Sequence, residues 1–233
     1  MRAGTDSVFR RALASDYFVF GLCVVYAAIV APFTPGFATP DNFGNILATL
    51  LPLLVIALGQ MLVMIAGGID LSVTSIVGLA SIVGALAIND DTGWLAGSAL
   101  ATPVGVLLML ALGAAVGAFN GLAITQLRMP AFIVTLAGMM AFSGLAVWLT
   151  QSKAINRLPA AFNLLGGTTA ITFAIVVFVA AFLHLLLSRS LFGRWLYAVG
   201  HNPRTAHISG VPVAGTIVAA YVASGILLSL IHI

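Results

Sequence analysis

Long apolar runs separated by short polar breaks dominate the sequence. Seven such runs lie near residues 17–33, 46–66, 71–88, 95–119, 129–150, 169–187 and 212–233. A helix needs about 20 apolar residues to cross a bilayer, and most of the runs approach that length without a charge. Because backbone exposed to lipid must form its own hydrogen bonds, the pattern predicts continuous helices. We therefore predict an all-α, polytopic membrane protein with about seven transmembrane segments.

The composition agrees with a membrane protein and excludes two other classes. Of the 233 residues, 61% are hydrophobic and 6% are charged, whereas a typical soluble domain has about 25% charged residues. A soluble fold of this size cannot cover its surface with so few charges, and disorder requires the opposite balance. The nine basic residues are too scattered to indicate a nucleic-acid partner. No His, Cys or carboxylate residues share metal-ligand spacing, so we expect neither a metal nor another cofactor.

The distribution of Lys and Arg predicts the orientation. The N-terminal arm at 1–16 and the loop at 188–211 have three basic residues each, whereas the loops at 34–45 and 89–94 have none. If the N-terminus is cytoplasmic, seven basic residues fall inside and two, both in the 151–168 loop, fall outside. This balance agrees with the positive-inside rule.

The domain organisation follows from the same count. We predict a cytoplasmic arm at 1–16, a retained first helix and a single transmembrane domain at 17–233. The short break at 67–70 leaves open whether its flanking helices meet at a surface turn or at a re-entrant corner.

A polar break inside about 40 apolar residues is the first candidate site. It reads Gly67-Gly68-Ile69-Asp70-Leu71-Ser72. Acidic residues inside a membrane are costly, so Asp70 is a candidate for contact with a solute or a proton. The glycines also end one helix, and Asp70 with Ser72 can accept bonds from the N–H groups that open the next. The two roles are compatible.

A glycine repeat marks a close helix contact. Gly113, Gly117 and Gly121 recur every fourth residue, which predicts a ridge for packing against another helix. Asn120 lies on the same stretch, and the sequence leaves open whether it bonds across helices or faces a polar pathway.

The 188–211 loop is long, basic and partly apolar. It indicates a short helix on the cytoplasmic face. Such a helix either touches lipid or presents a docking surface to a cytoplasmic partner.

Four stretches together resemble the permease subunit of ribose/xylose/arabinose-type ABC sugar importers, over about residues 17 to 228. They are Gly67 to Ser72, Phe119-Asn120-Gly121, Met129-Pro130-Ala131-Phe132-Ile133-Val134-Thr135-Leu136, and Phe192-Gly193-Arg194 through Tyr197-Ala198-Val199-Gly200 and Asn202 to Ser209-Gly210-Val211. Each motif is short, and their order and spacing make the resemblance specific.

The resemblance implies partners and site residues. Such permeases pair as homo- or heterodimers in the bacterial inner membrane, with two cytoplasmic ATP-binding subunits beneath them and a periplasmic sugar-binding protein that delivers the solute. Carried over by position, the residues that couple to the ATPase are Gly193, Arg194, Tyr197, Gly200, Asn202, Ala206 and Gly210. His201, Thr205 and His207 depart from the family at this loop. Leu230-Ile231-His232-Ile233 departs as well, which leads us to expect a truncated or frameshifted C-terminus.

The sequence also indicates where ATP hydrolysis and the solute pathway lie. No Gly-Lys-Ser/Thr motif is present, so we expect no catalytic residue and ATP hydrolysis by another chain. A sugar pathway needs amides and aromatic faces, which Gln60, Asn120 and Phe132 supply beside Asp70.

Three other functions compete with that of a sugar importer. They are an ion-coupled transporter that uses Asp70, a branched-chain amino-acid ABC permease, and an intramembrane hydrolase with Ser143 and His184 or His232.

Overall fold

The computed structural model describes residue 15 and residues 17–232. All regular structure within these residues is helical, which confirms the all-α prediction. In chain order the helices are α1 (Phe18–Val30), α2 (Pro40–Ile65), α3 (Val73–Ile88), α4 (Ala101–Gln126), α5 (Ala131–Thr150), α6 (Ala160–Gly167), α7 (Thr169–Arg189), α8 (Leu191–His201), α9 (Pro203–Ile208) and α10 (Val213–Ser229). Short 3-10 turns follow α1 at Ala31–Phe33 and α10 at Leu230–His232. Apart from residue 15, the predicted arm at 1–16 lies outside the described residues.

Each predicted apolar run contains a helix, but the helices differ in length. Within the described part of the chain, four are long and apolar enough to cross a membrane: α2, α4, α5 and α7. The apolar segments at Phe18–Phe33, Val73–Ile88 and Val213–Ser229 are shorter. The chain is therefore a helical protein with at least four candidate spans, and the count of seven stays a prediction.

Helix α4 differs from its predicted position. The apolar run suggested 95–119, whereas the helix occupies Ala101–Gln126. Residues before it form turns, and the Ser98 hydroxyl accepts a 3.1 Å hydrogen bond from the N–H of Leu100 at the helix entrance. The helix continues through Asn120, which is fully buried and hydrogen-bonded there. Because the Asn120 side chain is hydrogen-bonded to Ser72, its polarity does not require the helix to end there.

Two predicted loops also contain helices. The 151–168 loop holds α6, and the 188–211 loop holds α8 and α9 where we expected one short helix. Ser190 caps α8 by accepting the N–H of Gly193 at 3.0 Å, and Asn202 caps α9 by accepting the N–H of Thr205 at 3.0 Å. These caps explain why the segment divides at Asn202.

The chain separates into two compact units, one ending at Ala48 and one beginning at Thr49. The first contains α1, none of whose residues is buried. The second has α10 at its centre, where Ala220, Tyr221, Ser224 and Leu228 are at most 1% exposed. One face of α10 is therefore packed against its neighbours, whereas α5 and α7 expose many apolar side chains, as lipid-facing helices do.

Candidate functional site

The polar break between α2 and α3 is a tight corner. Gly67 has a φ of +80°, and the N–H groups of Gly67 and Gly68 donate to the carbonyl oxygens of Met64 and Val63 at 3.0 and 2.9 Å. This is a Schellman C-cap, in which glycine takes the left-handed conformation without strain. The glycine pair therefore ends α2 as its sequence predicts.

Asp70 lies inside this corner and is 3% exposed. Its Oδ1 accepts the N–H of Ser72 at 2.8 Å and the Ser72 hydroxyl at 2.5 Å. The carboxylate therefore satisfies an N–H at the entrance to α3, while the Ser72 hydroxyl points at Asp70 instead of capping α3 itself. The other oxygen of Asp70, Oδ2, is buried and has no hydrogen-bond partner among the described residues.

Asn120 extends this contact to α4. Its Nδ2 donates to the Ser72 hydroxyl at 2.8 Å, so donors and acceptors follow one another from Asn120 through Ser72 to Asp70. The side chain is fully buried, and its Oδ1 has no partner among the described residues. A Cβ atom at Gly138 of α5 would lie 3.2 Å from that oxygen, so Asn120 also lies directly against α5. Of the two roles left open for Asn120, the structure displays the bond across helices.

Gln60 holds the corner from the α2 side. With its amide oriented to satisfy both groups, Nε2 donates to the Asp70 carbonyl oxygen and Oε1 accepts the Asp70 N–H, each at 3.3 Å. Three of the four predicted pathway residues, Gln60, Asp70 and Asn120, thus meet at one corner. Phe132 instead lies in the first turn of α5 with 56% of its surface exposed.

Tyr221 also belongs to this corner, although the sequence analysis did not single it out. Its hydroxyl donates to the Ile69 carbonyl oxygen at 3.0 Å, and the side chain is 1% exposed. A Cβ atom at Gly68 would lie 2.7 Å from the hydroxyl oxygen, so only glycine admits the tyrosine here. The sequence did carry one signal for this residue, since Tyr221 lies in an apolar run. A buried phenol needs a hydrogen-bond partner, so such a tyrosine indicates a polar contact.

The glycine ridge of α4 faces α10. A Cβ atom at Gly113 or Gly117 would overlap a carbonyl oxygen of α10, belonging to Gly225 and Tyr221 respectively. At Gly121 it would lie 2.8 Å from the Cα of Val218. The two backbones are therefore in direct contact, as a small-residue ridge permits.

The proposed coupling segment divides into buried and exposed residues. Gly193 and Ala206 are buried, Asn202 caps α9, and Gly210 ends α9 with a φ of +81°. Arg194 and Tyr197 are exposed on one face of α8, and Tyr197 is 53% exposed. Gly200, Asn202 and Gly210 are exposed as well, so Arg194 and Tyr197 are the larger of the exposed side chains that a partner could meet.

Gly200 contacts the corner of its own chain. A Cβ atom there would overlap the carbonyl oxygen of Ile65, at the end of α2, and lie 3.0 Å from its carbonyl carbon. A Cβ atom at Gly67 would in turn lie 4.0 Å from the Cα of Gly200. The last turn of α8 thus lies backbone to backbone against the end of α2.

A second polar cluster joins the 89–94 loop to the 151–168 loop. Asn89 accepts the N–H groups of Asp91 and Thr92 at 3.0 and 2.8 Å and donates to the carbonyl oxygen of Asn156. Arg157 forms an exposed ion pair of 3.0 Å with Asp91. These contacts place the two loops together, which agrees with their prediction on one side of the membrane.

No group of three or more potential metal ligands occurs among the described residues. The polar corner offers one carboxylate, two amides and hydroxyl groups, and these are bonded within the chain. Such a corner can orient helices and present backbone and amide groups.

Comparison with known proteins identifies relatives over most of the chain. The model of the family described as branched-chain amino acid transport system / permease component matches residues 42–229. The chain is 34% identical over 210 residues to the autoinducer 2 import system permease protein LsrC of an Enterobacter species, covering 88% of this chain and 59% of that protein. It is 33% identical over 217 residues to the ribose import permease protein RbsC of Escherichia coli, covering 89% and 64%.

A further relative is the inner membrane ABC transporter permease protein YjfF of Escherichia coli, 32% identical over 198 residues, with coverage of 82% and 58%. The chain spans about six-tenths of the length of these relatives. No solved structure matches the chain at a significant level. The family match over 42–229 and the relatives confirm the resemblance inferred from the motifs, and the chain belongs to this family of ABC importer permease components.

Proposed function

We propose that the protein is the transmembrane permease subunit of an ATP-driven importer and forms the pathway for a monosaccharide or a related small solute. The observation that carries this proposal is the identity of about one third with import permeases for ribose and autoinducer 2 over nearly nine-tenths of the chain. The same relatives favour this function over an ion-coupled transporter or an intramembrane hydrolase. The permease is not itself an enzyme.

The partners follow from this function. A second permease subunit completes the pathway, cytoplasmic ATP-binding subunits supply the energy, and a periplasmic binding protein delivers the solute. The complex resides in the bacterial inner membrane with the N-terminus in the cytoplasm. The apolar helices of the chain support a membrane location, and the excess of basic residues in the 188–211 loop supports this orientation.

Docking of the ATP-binding subunits is assigned to the exposed face of α8. Arg194 and Tyr197 project from that face, and Arg and Tyr are residues that commonly anchor protein interfaces. The 188–211 segment has basic residues and no acidic ones, so its field attracts a partner surface that carries carboxylates.

The solute pathway is assigned to the region of Gln60, Asp70, Asn120 and Phe132. Asp70 and Asn120 each retain one unpaired oxygen in this structure. Sugar hydroxyl groups donate hydrogen bonds, so these oxygens suit them as acceptors when the corner opens.

Co-purification tests the docking assignment. The full permease is expressed with its own ATP-binding subunits, and the amount of those subunits retained is measured for Arg194→Glu and Tyr197→Ala. We expect at least about a fivefold loss for Tyr197→Ala, since an interface anchor contributes more than about 1 kcal/mol. Arg157→Glu is the matched control for a charge reversal, because Arg157 is exposed in the other polar cluster. Full retention of the subunits by both α8 variants would contradict the docking assignment.

Uptake measurements test the importer function itself. In cells that lack their own ribose importers, the complete system is expected to take up labelled ribose or a related sugar, and a variant of the ATP-binding subunit that cannot hydrolyse ATP is expected to abolish uptake. Uptake that persists without hydrolysis and follows an ion gradient would establish the ion-coupled alternative. Uptake of labelled leucine in place of sugars would establish the branched-chain amino-acid alternative.

A further inference from the structure

We infer that the Gly67–Ser72 corner is a mechanical link between α8 and the core helices, and that Gly200 and Tyr221 are the positioning residues that hold it. The inference rests on the proposed function, since it concerns how movement of a partner docked on α8 reaches the pathway. It names two residues that act through contacts within the chain: Tyr221 is buried, and Gly200 acts through the end of α2.

The first contact joins α8 to the corner. Gly200 lies against the carbonyl group of Ile65 without an intervening side chain. One helical turn earlier, Leu196 is completely buried in the same apolar cluster as Leu62 and Ala66 at the end of α2. A backbone-to-backbone contact supported by close packing leaves little space for one element to slide before the other follows. Displacement of α8 therefore displaces the end of α2.

The second contact joins the corner to α10. The hydroxyl of Tyr221 donates to the carbonyl oxygen of Ile69, and Gly68 provides the space for it. The backbone carbonyl of the same Tyr221 lies directly against Gly117 of α4. A shift of the corner thus acts on α10 and, through the glycine ridge, on α4.

The third contact joins the corner to α3 and α4. The bond from Asn120 to Ser72 joins α4 to the start of α3, and the bond from Ser72 to Asp70 continues it into the corner. The unpaired Oδ1 of Asn120 and Oδ2 of Asp70 provide buried acceptors with unused capacity. The corner can therefore exchange hydrogen-bond partners as it moves, which a fully satisfied network does not permit at low cost.

Gly200→Ala tests the first contact by adding one methyl group. The matched control is Gly78→Ala in α3, because a Cβ atom at Gly78 has no neighbour within 4 Å. The full permease is purified with its ATP-binding subunits, and three quantities are measured: subunits retained, ATP hydrolysed and solute taken up. For Gly200→Ala we expect retention within about twofold of the natural protein and a fall of about tenfold in solute moved per ATP. The control is expected to match the natural protein in all three.

Tyr221→Phe tests the link without a steric change. The substitution removes only the hydroxyl group, whose hydrogen bond the carbonyl oxygen of Ile69 accepts. Tyr221 is too buried to touch a partner. We expect the ATP-binding subunits to remain bound and solute moved per ATP to fall about threefold to tenfold. This variant decides the matter if Gly200→Ala fails to accumulate in the membrane.

Each contrary outcome has a definite meaning. Unchanged solute transport per ATP in Tyr221→Phe, or in a stably inserted Gly200→Ala, overturns the link. Loss of the ATP-binding subunits from Gly200→Ala also overturns it, because Gly200 then belongs to the docking surface. Failure of the proposed function is distinguishable, since the natural protein itself would then neither retain the subunits nor take up the solute.

Discussion

Asn120 donates a 2.8 Å hydrogen bond to the hydroxyl of Ser72, a residue 48 positions earlier in the chain. Because the same hydroxyl donates to Asp70, Ser72 is both acceptor and donor between a helix and a carboxylate. The bond fixes the start of α3 against the C-terminal part of α4. Its geometry makes Ser72, which the sequence indicated only as a possible helix cap, central to the corner.

Ser72→Ala is expected to destabilise the protein by about 1–3 kcal/mol, because it leaves the buried amide of Asn120 without an acceptor. Thermal inactivation of the purified permease in detergent measures this. Ser188→Ala is the matched control, since Ser188 is exposed and donates only to the carbonyl oxygen of His184 in its own helix. An equal effect of both substitutions would show that the corner bond adds nothing to stability.

Substitution of Asp70 separates its geometry from its charge. Asp70→Asn keeps an oxygen that can accept both bonds from Ser72 but replaces the unpaired oxygen assigned to the solute, so we expect a mild loss of stability and weakened but continued transport. Asp70→Ala removes the acceptor and is expected to cost about 1–3 kcal/mol. Solute uptake and inactivation temperature are measured together. Loss of transport by Asp70→Asn in a normally inserted and assembled protein would show that the charge itself is required.

Gly117→Ala is expected to loosen the contact between α4 and α10. The added Cβ would overlap the carbonyl oxygen of Tyr221 and lie 2.9 Å from the Cα of Val222, so the backbones must separate. Overpacking of this kind costs about 1–3 kcal/mol. Gly144→Ala in α5 is the control, because its Cβ would have no neighbour within 4 Å. We expect the control to be neutral or slightly stabilising, since Ala favours helix by up to about 1 kcal/mol over Gly.

The cluster around Asn89 is expected to depend on the asparagine more than on the ion pair. Arg157→Gln removes an exposed ion pair worth about 0–1 kcal/mol. Asn89→Ala removes the acceptor of Asp91 and Thr92 and the donor to Asn156, so its cost is expected to reach about 1–3 kcal/mol. Inactivation temperatures of the two variants measure the difference, and the reverse order would contradict it.

Cysteine labelling tests the predicted orientation. In a Cys23→Ser background, Asp91→Cys is expected to react with an impermeant reagent added to intact cells, whereas Tyr197→Cys is expected to react only after permeabilisation. Both positions are exposed in the structure. Labelling of Tyr197→Cys in intact cells would reverse the orientation.

The sequence predicted features that depend on local pattern. The all-α class followed from apolar runs, and the end of α2 followed from two consecutive glycines with a polar pair after them. The spacing of Gly113, Gly117 and Gly121 indicated a close helix contact, and in the structure these glycines face α10. Helical spacing alone is sufficient for such inferences, because it determines which residues share a face.

Features that depend on pairing distant segments were not predictable from one sequence. Nothing near Tyr221 in the chain points to Ile69, and nothing near Gly200 points to Ile65. The assignment of Gly200 to a contact with a partner stays a prediction, and its contact with Ile65 of its own chain was not foreseen. Nothing near Asn120 in the chain points to Ser72 either, and so its buried bond inside α4 was not foreseen.

The two polar clusters differ in how far their bonds are exposed to water. One cluster includes an exposed ion pair, whereas the bonds of the other are buried. The bonds of Arg157 with Asp91 are exposed, so water can replace them at little cost. The bonds around Asp70 and Tyr221 are buried, and breaking them strands polar groups in an apolar interior. Hydrogen exchange should therefore reach the backbone beside the exposed Arg157–Asp91 pair before that of the buried corner. The outer part of one cluster can thus open while the corner keeps its shape.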